Sequence, residues 1–148
     1  MDNYQFTLES AIIADKNNKL YEWLQDFLRS EGKNPKLADI ITNERPVWIG
    51  LIEYDLNKLK RAMGPEPEMV FIEEKEKWDK RINNFVQLLK NGLKPCPIIA
   101  SDYWDDIQIC DGTHRFEALK LVGVKKYWTI FFVRDLNNRK AIIYKTVS

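Results

Sequence analysis

The sequence predicts an α+β fold, a small mixed β-sheet with interleaved helices, preceded by an N-terminal helical extension. Three observations predict it. Helical periodicity dominates residues 1–45, short apolar β-type runs alternate with helical stripes over 46–148, and Gly or Pro marks most of the changes between them.

In the extension, Leu20, Trp23, Leu24, Phe27 and Leu28 recur at three- and four-residue spacing, and Gly32 is placed to end that helix. Asn34-Pro35 reads as an N-cap followed by proline in the first turn, with Leu37, Ile40 and Ile41 on one face. Pro46 marks the change of character. Val47 to Ile52 reads as a strand that continues through Glu53-Tyr54 to Asp55. Asp55 can cap a short helix carrying Leu56, Leu59 and Met63, closed by Gly64.

A stiff acidic loop, Gly64 to Glu68, leads to the longest helix, Glu73 to Asn91, striped by Trp78, Ile82, Phe85 and Leu89. Gly92 closes it. Pro97 to Ala100 and Ile107 to Ile109 read as strands around a turn at Trp104-Asp105-Asp106, and a further helix ends at Gly123. Tyr127 to Val133 and Ala141 to Tyr144 are two more strands, joined by a turn at Leu136-Asn137-Asn138.

Composition narrows the function classes. With 148 residues there is enough chain for one real core. Lys and Arg number 23 against 22 Asp and Glu, so no global charge pulls the protein toward nucleic acid or an anionic membrane. No apolar stretch approaches the roughly 20 residues that span a bilayer, and Met1 to Gln5 lacks a signal-peptide pattern. Cys96 and Cys110 read as buried reduced thiols, so a cytoplasmic location is expected. One His and two separated Cys cannot furnish a closed zinc site. The Trp78 stripe is core, and Lys75, Lys77, Lys80 and Arg81 alternate with acids as a solvated helix face. The acidic set Glu66, Glu68, Glu73, Glu74 and Glu76 belongs to a loop and a helix N-terminus.

Chemistry concentrates in one box, Asp111-Gly112-Thr113-His114-Arg115-Phe116-Glu117-Ala118, where a β-type run meets a helix start. It holds the only histidine of the chain. Free backbone N–H groups and the helix dipole attract anions at such a place. Glycine lets an oxygen approach the backbone, and arginine can grip a phosphate with two donors.

The string Gly112 to Ala118 resembles the Gly-x-x-Arg-x-x-Ala box of ParB-like proteins and, more closely, the Gly-Cys-His-Arg-aromatic-x-Ala box of sulfiredoxins. With Asp111 in front it resembles the Asp-Gly-x-His-Arg box of free serine kinases in the same superfamily. The flanks agree from Pro46 to Arg134: a first β-α unit over Val47 to Met63, the helix Glu73 to Asn91 before a Gly, and Pro97-Ile98-Ile99-Ala100. The resemblance implies a ParB/sulfiredoxin-like fold and a nucleotide site. Gly112, Thr113, His114 and Arg115 would hold the phosphates of ATP or another nucleotide, with Mg2+ as a companion ion.

Glu53, Asp111 and His114 are the catalytic candidates. Asp111 either stabilises its own turn or holds a metal ion or orients the box. Glu53 is either an ordinary surface residue or the acid that the family's kinases place near their site. Thr113 either caps the helix or donates to a phosphate.

Thr113 stands where sulfiredoxins carry their nucleophilic cysteine, so sulfinic-acid reductase chemistry is not expected. ParB partition proteins carry a helix-turn-helix region and a dimerisation segment beyond the box domain, and the little sequence after Tyr144 argues against DNA clamping. The expectation is a nucleotide-binding protein, an ATP-dependent phosphotransferase or ATPase acting on a small molecule. The alternative is a non-enzymatic, nucleotide-responsive or DNA-associated accessory module of the ParB type, direct DNA binding being disfavoured by the balanced charge.

Overall fold

The structure, a computed structural model, describes residues 6–44, 46–102 and 107–134. The expected strand at Ala141 to Tyr144, the turns at Trp104 to Asp106 and Leu136 to Asn138, and the first five residues lie outside the described residues.

Three helices come first, not two. Helix α1, Leu8–Lys16, opens with a reciprocal cap in which the Thr7 hydroxyl accepts from the Ser10 amide while Ser10 Oγ accepts from the Thr7 amide. Helix α2, Leu20–Arg29, buries the foreseen stripe of Leu20, Trp23, Leu24, Phe27 and Leu28. Helix α3, Pro35–Glu44, starts as its Asn-Pro pair predicts, with Asn34 Oδ1 accepting from the Leu37 amide at 3.3 Å.

Strand β1, Val47–Asp55, follows. The helix expected after Asp55 is a single 3-10 turn, Leu56–Lys58, capped by the Asp55 carboxylate at the Asn57 amide. Beyond it the backbone extends. The Lys60 amide donates to the Ile107 carbonyl at 3.0 Å and the Lys60 carbonyl accepts from the Ile109 amide at 2.9 Å. A sheet edge claims the segment whose apolar spacing suggested a helix, and Met63–Gly64 then forms strand β2 rather than a helix end. Strand β3, Phe71–Ile72, pairs with β2 in parallel. Helix α4, Lys75–Lys90, strand β4, Ile98–Ser101, strand β5, Gln108–Asp111, helix α5, Thr113–Leu121, and strand β6, Lys126–Val133, complete the described chain.

The main sheet runs in the order β1-β6-β4-β5. β1 is antiparallel to β6, β6 parallel to β4, and β4 antiparallel to β5. Because side chains alternate across a strand, each central strand serves two cores. Tyr127, Phe131 and Val133 of β6, with Ile98 and Ala100 of β4, pack with Phe116 and Leu119 of α5. Ile130 and Phe132 of β6, with Ile99 of β4, pack instead with the buried stripes of α2 and α3. A third cluster, Trp78, Ile82 and Ala118, fastens α4 to α5. No helix among the described residues is long and apolar enough to cross a membrane.

Leu24 is fully buried in the cluster that joins the extension to the sheet. Leu24→Ala should cost about 2–5 kcal/mol in urea unfolding. We expect one transition for wild type and variant alike, and separate transitions for the helices and the sheet would contradict a shared core.

Burial also sets a pH dependence. It raises the thiols of Cys110 and Cys96 and the hydroxyl of Tyr127 above their ordinary values. Tyr54 is raised by burial and by the neighbouring Asp55. Below about pH 8 these groups are protonated in folded and unfolded chains alike, and above it the unfolded chain releases its protons first. Stability should therefore hold up to about pH 8 and fall as pH rises toward 10, and Cys110→Ala should lose less over that range than wild type.

Candidate functional site

Strand β5 ends at Asp111, and the chain turns into α5 through Gly112, whose φ of +97° favours glycine. The first helical bond of α5 runs from the Phe116 amide to the Gly112 carbonyl at 2.9 Å. The amides of Thr113, His114 and Arg115 therefore precede the helix's own hydrogen-bond ladder and have no partner among the described residues. These three residues line a cleft of about 900 Å³.

Two parts of the chain build that cleft. Gly112 to Arg115 line one side with Cys110 and Asp111, and Arg81, Asn84, Phe85 and Leu88 of α4 contribute a wall. The extension closes the other side through Phe6, Phe27 and the Glu31-to-Asn34 turn, with Leu93 to Cys96 beside it. Lys33, Arg81 and Lys94 supply exposed positive charge around the opening.

Arg115 has a structural task. Its Nε donates to the Cys96 carbonyl at 3.1 Å, and Nη2 donates to the Pro97 carbonyl at 2.8 Å. Nη2 also lies 3.5 Å from Asp111 Oδ2, and the guanidinium lies 5.8 Å from the centre of the Phe27 ring. With its side chain 13% exposed, this arginine braces α5 against the approach to β4. Two of its three nitrogens are thus engaged by the protein, which takes the place of the free two-pronged phosphate grip expected from the sequence. Gly112 makes the brace possible, since a Cβ there would meet Nη2 at 2.6 Å.

Asp111 is also engaged. Its Oδ1 accepts from Asn34 Nδ2 at 3.1 Å, so the residue that caps α3 reaches across to the box. The aspartate ties the extension to the arginine brace. Thr113 is buried and makes no side-chain cap, because Gly112 occupies the N-cap position.

His114 lines the cleft, and its Nε2 lies 2.6 Å from Glu73 Oε1. Glu73 Oε2 pairs with Arg81 Nη1 at 3.3 Å, and the Trp78 ring stands 5.1 Å from the imidazole, tilted by 52°. Glu53 is not brought here. It is exposed on β1 opposite Trp128, with β6 and β4 between its strand and β5, and it does not line the cleft.

Neither thiol is disposed to act as a nucleophile. Cys96 donates to the Phe6 carbonyl at 3.2 Å, and burial pushes both thiols up.

Asn34, Glu73, Arg81, Lys33 and Lys94 join the site without a local signal that singles them out. Asn34 is legible as a cap, but its contact with Asp111 spans 77 residues. Glu73 and Arg81 lie within runs of alternating charge that read as solvent-facing.

The structure is similar to that of sulfiredoxin from Arabidopsis thaliana, with 15% identity and a TM-score of 0.43 over 63% of this chain and 96% of that one. It is also similar to a conserved hypothetical protein from Pyrococcus furiosus, with 20% identity and a TM-score of 0.41 over 58% of this chain, which spans 34% of that longer protein. No family model and no curated protein matches the chain.

Gly112→Ala should destabilise the fold by about 1–3 kcal/mol, because it adds left-handed strain to the collision with the guanidinium. In a double-mutant cycle with Arg115→Met, denaturant unfolding should show the two costs summing to more than the double variant loses. Simple additivity would mean that the glycine does not serve the arginine.

Proposed function

We propose that the cleft at the start of α5 binds a nucleotide through its phosphates, and that the protein is an ATP-dependent phosphotransferase or ATPase acting on a small molecule. The observation that carries this reading is a helix start whose amides at Thr113, His114 and Arg115 have no partner among the described residues, in three residues that line the cleft. Amides at a helix start, backed by the helix dipole, suit an oxyanion better than a cation or an apolar group.

The surroundings support the same assignment. Lys33, Arg81 and Lys94 offset the charge of a polyphosphate, while Phe6, Phe27, Phe85, Leu88 and Leu93 provide apolar surface for a base and sugar. Arg115 contributes the positive charge and rigidity of a fixed brace. Phosphoryl transfer depends mainly on positioning and charge neutralisation, and this cleft has the means for both.

Mg2+ fits this reading only as part of the ligand. Among the described residues no group of three or more His, Cys, Asp or Glu could hold a metal ion, and Asp111 already faces Asn34 and Arg115. A Mg2+ would arrive on the phosphate oxygens of the nucleotide.

One observation favours a second reading, a nucleotide-responsive module without turnover: both carboxylate oxygens of Asp111 are engaged, and Glu53 lies away from the cleft. The two readings share the binding site and differ in whether ATP is consumed.

Isothermal titration with ATP, ADP and CTP tests the shared claim. We expect binding that weakens as salt rises, and about a tenfold loss of affinity on replacing Arg81 or Lys94 with Ala. No heat from any of the three nucleotides would refute the site. Release of phosphate or ADP from bound ATP then separates the enzyme from the module.

A further inference from the structure

The contact between Glu73 and His114 has a chemical consequence for the anion site, and it rests on the nucleotide reading above. We propose that Glu73 is a positioning residue that makes His114 a cationic contact for the terminal phosphate, the imidazolium lying between the Glu73 carboxylate and the bound phosphate, so that ligand binding takes up a proton.

The geometry of the ring carries this. His114 belongs to the first turn of α5, among the unpartnered amides, and lines the cleft. Its Nε2 is occupied by Glu73 Oε1 at 2.6 Å, which leaves Nδ1 as the nitrogen available to a ligand. A neutral ring that donates Nε2–H to Glu73 presents only a lone pair at Nδ1, and a lone pair repels phosphate oxygen. A ring with both nitrogens protonated donates to the carboxylate and to the phosphate at once. Glu73 and His114 are 14% and 15% exposed at their side chains, so solvent screens their contact only partly.

The groups around the ring divide. Glu73 favours a proton on it, while the Trp78 ring beside it already carries the Arg61 guanidinium at 5.0 Å, which opposes one. The positive end of α5, Arg115 on the same helix and Arg81 on α4 oppose one, while Asp111 at the end of β5 partly offsets Arg115. A phosphate in front of α5 screens the helix end and the arginines and adds negative charge beside Nδ1, so the proton arrives with the ligand. It comes from solvent, and no bond of the nucleotide is made or broken.

The test is calorimetry of ATP binding at about pH 8 in buffers of different ionisation enthalpy. The terminal phosphate is already ionised at that pH, so protons taken up belong to the protein. Wild type should take up about half a proton or more per ATP, and affinity should fall up to about tenfold per unit rise in pH. Glu73→Gln and His114→Gln should bind ATP without proton uptake, while Arg81→Ala should bind more weakly and keep it. Because His114 is the only histidine, one set of imidazole signals in the NMR spectrum reports its protonation directly. ATP binding with no uptake in wild type, or with equal uptake in Glu73→Gln, would overturn the proposal and leave the nucleotide site standing. Absence of ATP binding would overturn both.

Discussion

The guanidinium of Arg115 holds together the parts of the molecule that make its cleft. It bonds the carbonyls of Cys96 and Pro97 ahead of β4, lies beside Asp111 at the end of β5, and stands over Phe27 of α2. Asp111 extends the reach by accepting from Asn34 at the start of α3. Helix α5, the two strands beside it and the helical extension are thereby fixed around one largely buried charge. A charge inside a protein needs partners, and here two backbone carbonyls and a carboxylate meet Nε and Nη2.

That constraint explains the glycine. A side chain at position 112 would collide with the guanidinium, and the backbone there already adopts a left-handed conformation. A motif that reads as a phosphate cradle is thus also a packing solution. The brace occupies Nε and Nη2 of the arginine head, while the amides of Thr113, His114 and Arg115 have no partner among the described residues.

Local patterns were the legible part. The α2 stripe, the Asn34-Pro35 start of α3, the long α4 and the β5-α5 junction each follow from residues within a few positions of one another. The patterns that misled were local as well. Leu56, Leu59 and Met63 have helical spacing, yet Leu59 is buried in extended backbone and Lys60 pairs with the neighbouring strand. The cap of α1 was written in Thr7 and Ser10, but its short apolar pattern of Leu8 and Ala11 is faint beside that of α2. Glu53 was open to two readings, an ordinary surface residue or the acid that the resemblance places near the site, and it is exposed and does not line the cleft. The strand order sets that distance, since β6 and β4 separate β1 from β5.

By itself the sequence determined the α+β class, the helices α2 to α5, the strands β1, β4, β5 and β6, and the position of a glycine-led helix start at Gly112 to Arg115. These depend on periodicity, capping and turn chemistry, which act over a few residues. Only the tertiary structure decided that Arg115 turns inward, that Asn34 answers Asp111, that Glu73 stands behind His114, and that the extension supplies part of the cleft wall. Those pairings join residues 18 to 77 positions apart. Which distant partner a charged side chain meets is set by how the layers pack on the sheet, and no pattern along the chain encodes that choice locally.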